Sequence, residues 1–182
     1  MGMRKRAFLF CALAACALAV SAQSYSLRSN ILGLATTNLN LEASMTLNRK
    51  WSLHLPVQYN PFKFGSNRQF RNFYAAPGAR YWLLESYMGG FIGMYGTAGM
   101  YSVGNLFGSK YRYEGEGYGV GLSVGKAYQI GRRWNLEWEV GAGAVWLAYD
   151  KYLCKRCGDL VDSDYGWHFL PTRAALNLVY LF

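Results

Sequence analysis

The sequence predicts an all-β protein: an eight-stranded antiparallel up-and-down transmembrane β-barrel with a filled polar lumen. Three observations carry this. The chain ends on Phe182, and counting back in twos places Tyr180, Leu178, Leu176 and Ala174 on the same face. The opposite face, Leu181, Val179, Asn177, Ala175 and Arg173, turns polar away from the terminus. Eight segments of this kind follow one another, and the connections between them alternate short and long. After residue 22 no apolar run approaches the roughly 20 residues a membrane helix needs.

Residues 1–22 read as an export signal. Arg4, Lys5 and Arg6 precede an apolar run from Ala7 to Val20, and the small residues Ser21 and Ala22 stand before Gln23. Leu13-Ala14-Ala15-Cys16 offers a second reading, lipid attachment at Cys16. The apolar run continues past that cysteine, which favours cleavage after Ala22. The barrel domain is then 23–182. Loss of the leader lowers the formal net charge from +9 to +6, because Arg4, Lys5 and Arg6 leave with it. The remaining charge is spread out, and a nucleic-acid role would need a concentrated basic stripe.

The first segment, Leu27 to Ala35, is weakly patterned, with Arg28 and Asn30 on its polar side. Leu39 to Leu47 alternates clearly, setting Leu39, Leu41, Ala43, Met45 and Leu47 against Asn40, Glu42, Ser44 and Thr46. After the turn at 48–50, Trp51 to Tyr59 repeats the pattern, so the two form a hairpin. Pro56 predicts a bulge or break there. Phe73 to Leu83 and Gly90 to Val103 follow; the latter is apolar on both faces, so its facing is not assigned. Tyr118 to Gln129 opposes Tyr118, Val120, Leu122 and Val124 to Gly119, Gly121, Ser123 and Gly125. Trp134 to Tyr149 opposes Trp134, Leu136, Trp138 and Val140 to Asn135, Glu137 and Glu139, and Trp167 to Phe182 closes the set.

Connections at 48–50, 84–89 and 130–133 are short and those at 60–72, 104–117 and 150–166 long, the arrangement of periplasmic turns and outer loops. The outer connection Thr36–Asn38 is the tight exception. Trp51, Trp134 and Tyr180 fall where one interfacial girdle belongs, and Tyr59 and Tyr149 lie near the other rim. Lysines sit in turns and loops, with Lys126 near a periplasmic end where it can snorkel. The apolar face is therefore read as facing lipid.

Arg80-Tyr81-Trp82, Tyr113-Glu114-Gly115, Arg133-Trp134-Asn135-Leu136-Glu137, Tyr149-Asp150-Lys151-Tyr152 with Cys154 and Cys157-Gly158, and Pro171-Thr172 form a fairly specific set. On these residues the chain resembles an uncharacterised family of small outer-membrane β-barrel proteins, a domain of unknown function in Gram-negative bacteria. The resemblance spans nearly all of 23–182. It implies the barrel fold and an outer-membrane location after export, and it implies no activity.

Six charges fall on the lumen side: Arg28, Arg80 and Arg173 against Glu42, Glu137 and Glu139. Charges inside a narrow barrel persist when paired, so a structural network that plugs the lumen is expected, with a gate that passes small solutes as the alternative. His54 is expected beside Glu42. Glu137 and Glu139 imitate an acid–base carboxylate pair but have no substrate pocket. A lipid-modifying enzyme would need Ser163, Asp164 and His168 together, without a recognisable nucleophile motif.

Cys154 and Cys157 stand in an exported loop, where a local disulfide is favoured over zinc; a zinc site would need His168, Asp159 or a second subunit to complete it. Lys63, Arg68, Arg71, Lys110, Arg112, Lys151, Lys155 and Arg156, interleaved with Phe70, Tyr111, Tyr113 and Tyr152, make a basic aromatic rim. That rim suits lipopolysaccharide head groups, or a surface polymer or fimbrial protein. The expectation is a monomeric structural or surface-interaction barrel without cofactor or catalytic activity, with a porin-like channel or lipid-modifying enzyme as alternatives.

Overall fold

A computed structural model describes residues 25–64, 68–104, 111–153 and 160–182. The leader, Cys154 and Cys157 lie outside these residues. The elements are β1 (Tyr25–Asn30), α1 (Ile31–Ala35), β2 (Leu39–Asn48), β3 (Trp51–Asn60), β4 (Lys63–Phe64), β5 (Arg68–Ala75), β6 (Gly78–Trp82), β7 (Gly89–Gly104), β8 (Tyr111–Gln129), β9 (Trp134–Leu153) and β10 (Leu160–Leu181).

All pairings are antiparallel, and the sheet closes because β1 lies between β2 and β10 while β2 also pairs with β3. β5 and β6 are one stave interrupted at Ala76-Pro77, and β4 is a two-residue extension on β5. Eight staves close the barrel. The turns are set by local chemistry: Asn48 Oδ1 accepts from the N–H groups of Lys50 (2.9 Å) and Trp51 (3.0 Å), an Asx turn that starts β3.

Four sequence expectations change. The segment predicted as one strand over Leu27–Ala35 leaves the sheet at Asn30, whose side chain caps α1 by accepting from Leu32 N at 3.1 Å. Alternation there mimics a strand, but the cap and the tight return at Thr36–Asn38 win. The break predicted in β3 at Pro56 occurs opposite it instead. β3 is continuous, and Ala76 N bonds Pro56 O at 3.2 Å where β5 gives way to β6, so the missing proline N–H costs no ladder bond. The loops predicted at 60–72, 104–117 and 150–166 are largely strand: β5 begins at Arg68, β8 at Tyr111, β9 runs to Leu153 and β10 begins at Leu160. Tyr149 turns inward beside Tyr113, with ring centroids 6.0 Å apart, and Trp146 takes the outward place near it.

The apolar face looks out. Leu41, Leu55, Ile92, Met94, Val120, Leu122 and Val140 are exposed, while Glu42, His54, Ser123 and Glu139 on the alternate positions are buried. Two aromatic tiers bound this aliphatic waist. The lower has Trp51 with Tyr81 (5.3 Å between ring centroids) and Trp134 with Tyr180 (5.0 Å). The upper has Trp146 against Tyr165 and, edge-on, Trp167, with ring centroids 5.8 Å apart in each pair, together with Tyr59, Phe73 and Tyr118. Lys126 projects outward near the lower tier, its Nζ 5.0 Å from the Tyr128 ring. The described residues include no helix long and apolar enough to cross a membrane.

The staves differ in height. β9 has 20 residues and β10 22, against 10 each in β2 and β3, so β7 to β10 continue upward as a curved sheet beyond the closed barrel.

Candidate functional site

Inside the barrel, glycines on β8 make room for side chains from β7. A Cβ on Gly121 would lie 2.6 Å from the Tyr95 ring, so only glycine fits opposite that tyrosine. Tyr95 OH in turn bonds Thr172 Oγ1 across the lumen at 2.5 Å.

Below this bridge lies a layer of charge. Arg28, on β1, donates to Glu137 Oε1 at 2.6 Å and lies 3.4 Å from Glu42 Oε1 through Nε. Arg80, on β6, reaches Glu42 and Glu137 at 3.2 Å each and also pairs with Glu139. Arg173, on β10, donates to Glu139 Oε1 at 2.9 Å and stands 3.8 Å from Glu42 Oε2. The three arginines and three glutamates come from five of the eight staves, so the layer ties these together across the lumen. Arg28, Arg80, Glu137 and Glu139 are each only 1% exposed. Opposite charges in equal number make that burial tolerable, whereas one unpaired member would be costly.

Further polar side chains join the layer. His54 Nδ1 lies 2.9 Å from Glu42 Oε1 and its Nε2 2.7 Å from Ser52 Oγ, Asn177 donates to Glu137 at 3.3 Å, and Ser26 and Ser44 share a hydrogen bond at 2.5 Å. Aromatic rings back the guanidinium groups: Arg80 lies 4.7 Å from the Phe91 centroid and Arg173 4.8 Å from that of Tyr95.

Beneath the charges an aromatic plug closes the lower end. Trp82 contacts Phe91 (4.8 Å between centroids) and Tyr87 (5.7 Å), and its indole N–H donates to Ser52 Oγ at 2.7 Å. Tyr87 comes from the turn between β6 and β7. A positive φ of 67° folds it into the lumen, where its OH lies 3.0 Å from Ser44 Oγ and its carbonyl accepts from Asn135 at 2.7 Å. The sequence reading treated this segment as a plain turn. The available signal was an aromatic residue just before Gly89-Gly90 in a connection longer than the other two.

At the upper mouth a cluster of amides holds β2, β3 and β5 together. Asn38 Oδ1 accepts from Asn72 (2.9 Å) and Asn60 (3.2 Å), and Gln58 donates to Asn72 at 3.0 Å. Between this cluster and the charge layer is a cavity of about 100 Å³ lined by Gln58, Tyr74, Glu139 and Arg173.

The other candidate sets do not converge. Glu137 and Glu139 are both consumed by arginines. Asp164 and His168 share the inner face of β10, while Ser163 pairs with Asp150 on the outer face. Their four-residue spacing separates Asp164 from His168 by about 13 Å along the strand. No group of three or more histidine, cysteine, aspartate or glutamate side chains able to hold a metal exists among the described residues. Of the basic rim, Arg112 lies 3.2 Å from Glu114 and 4.9 Å from the Tyr152 ring, and Lys151 lies 4.3 Å from the Tyr111 ring. Lys110, Lys155 and Arg156 and the side chains of Lys63 and Arg68 lie outside the description.

Compared with known proteins, residues 7–182 match the family described as "Protein of unknown function (DUF3575)", and the chain belongs to that family. No curated protein and no solved structure matches it.

Proposed function

We propose that this member of the DUF3575 family is an integral outer-membrane barrel, exported by its leader, whose closed lumen is a structural strut and whose long strands present a surface for interaction. The supporting observation is the outer wall: an aliphatic waist between two aromatic tiers, with the charged side chains of that zone gathered inside. In water the cheaper arrangement is the reverse, because exposed apolar surface of this extent is unfavourable. In a bilayer the arrangement satisfies both faces, and a closed sheet leaves its ladder hydrogen bonds internal.

What fills the lumen supports a structural role without catalysis. The aromatic plug, the ion-pair layer and the Tyr95–Thr172 bridge lie one above another, and each spans the bore. Lipid and lipopolysaccharide are the partners of the outer wall, and the rim cations suit the anionic head groups.

Fractionation tests the location. After expression in a Gram-negative host the protein is expected in the outer membrane, extractable only with detergent, and shifted in gel mobility by boiling. Recovery in the buffer-soluble fraction would contradict the proposal. In planar bilayers the folded protein is expected to stay silent; steady openings would replace the strut with the porin-like alternative.

A further inference from the structure

β10 has neighbours on both sides only at its lower end. β9 pairs with it from Leu160 to Tyr180, whereas β1 pairs with it only from Asn177 to Leu181. Just above, the Asn30 side chain stands in for a strand, donating to Ala174 O at 3.3 Å and accepting from Leu176 N at 3.2 Å. From Leu160 to Arg173 no strand lies beyond β10 among the described residues.

The backbone groups on that edge can be identified. Phe182 and Leu176 face outward and aim their N–H groups toward β1, at Tyr25 O (3.1 Å) and Asn30 Oδ1 (3.2 Å), while inward Leu181 aims at Arg133 O (2.9 Å). The same alternation sends the N–H and C=O groups of outward Ser163, Tyr165, Trp167 and Phe169 to the open edge, where Ser163 N donates to Asp162 Oδ1 at 3.0 Å and Tyr165 N to Asp164 Oδ1 at 2.8 Å. Outward Pro171 has no N–H to offer, which blunts the edge at its lower limit. Natural proteins cover or blunt long edges because they recruit other strands; here Pro171 and the two aspartate contacts blunt the edge in part, and between them the N–H groups of Trp167 and Phe169 point to the open side.

We propose that the edge of β10 from Asp162 to Phe169 is a docking site for an extended segment of another exported polypeptide, added to the sheet as a further strand. Side chains define its chemistry. Tyr165, Trp167 and Phe169, exposed by 71%, 61% and 80%, call for apolar residues on the outer side of the incoming strand. Exposed Asp162 and Asp164 on the inner side call for basic ones. This rests on the outer-membrane reading, which sets the edge at and above the upper aromatic tier, on the outer side of the membrane, and also excludes a second copy. Twofold pairing of β10 with its own counterpart is antiparallel and would invert one barrel in the bilayer.

The probe is a ten-residue, end-blocked peptide alternating isoleucine and lysine, added to the detergent-folded full chain and followed by residue-resolved amide exchange. The amides of Trp167 and Phe169 are expected to exchange fast alone and to slow more than about tenfold with the peptide, while those of Ser163 and Tyr165 give up their aspartate contacts for peptide ones. The same peptide N-methylated at alternate residues is expected to have no effect. Trp167→Pro removes an edge N–H without touching the β9 ladder, so it is expected to lose the peptide while keeping its boil-dependent gel shift. Trp167 and Phe169 amides already protected without peptide, no slowing, or equal binding by Trp167→Pro would overturn the proposal. A dimer dissolved by the peptide would assign the edge to a second copy and overturn it too. Fractionation reports independently on the membrane reading.

Discussion

The lower and upper halves of β8 and β9 place their charges differently. In the lower half of β8 and β9, outward positions are Val120, Leu122, Val124, Trp138 and Val140, and inward ones are Gly121, Ser123, Gly125, Glu137 and Glu139. In the upper half the outward positions become Arg112, Glu114, Glu116 and Asp150, and the inward ones become Tyr113 and Tyr149. The register runs unbroken from one half to the other, so the reversal lies in the side chains alone. On the proposed reading it marks the level at which lipid gives way to water. Below that level, polarity must hide inside and pair; above it, charge returns to the outer face and the sheet no longer needs to close.

Breaking the comparison in the lower half should cost most. Glu137→Leu removes one of the two carboxylates that Arg28 and Arg80 share in the buried lumen, and a loss of about 3–5 kcal/mol in urea-unfolding stability is expected. A loss below about 1 kcal/mol would mean that water reaches the layer. Gly121→Val drives a side chain into Tyr95 and opens the bridge to Thr172. A smaller loss, about 1–3 kcal/mol, is expected by the same measurement. In the upper half Glu114→Gln removes an exposed partner of Arg112 and is expected to change stability by less than about 0.5 kcal/mol, measured likewise. A loss as large as that of Glu137→Leu would erase the distinction between the halves.

How much of this was legible depended on whether one face of a segment was apolar. β2, β3, the lower parts of β8 and β9, and the end of β10 show period-two alternation, because one face meets an apolar surrounding and the other a polar one. That alternation placed Arg28, Glu42, Arg80, Glu137, Glu139 and Arg173 on one side of the wall before any coordinates. It did not reveal how they pair, since pairing depends on stagger around the barrel. The upper parts of β8, β9 and β10 read as loops because both faces there carry polar or aromatic residues, so the two-residue period has no contrast to show. α1 hid within a strand-like alternation that Asn30 overrides by capping. Tyr87 escaped the alternation for another reason: its position follows from a left-handed backbone conformation, which no periodicity encodes.

The central claim is that the waist of the barrel touches lipid. Spin labels on Leu55→Cys, Leu122→Cys and Val140→Cys in reconstituted bilayers test it most directly, with Glu114→Cys as the upper-half reference. The account predicts that the three waist labels collide readily with dissolved oxygen and scarcely with a water-soluble nickel complex, and that the reference label does the opposite. Ready collision of the waist labels with the nickel complex would contradict it.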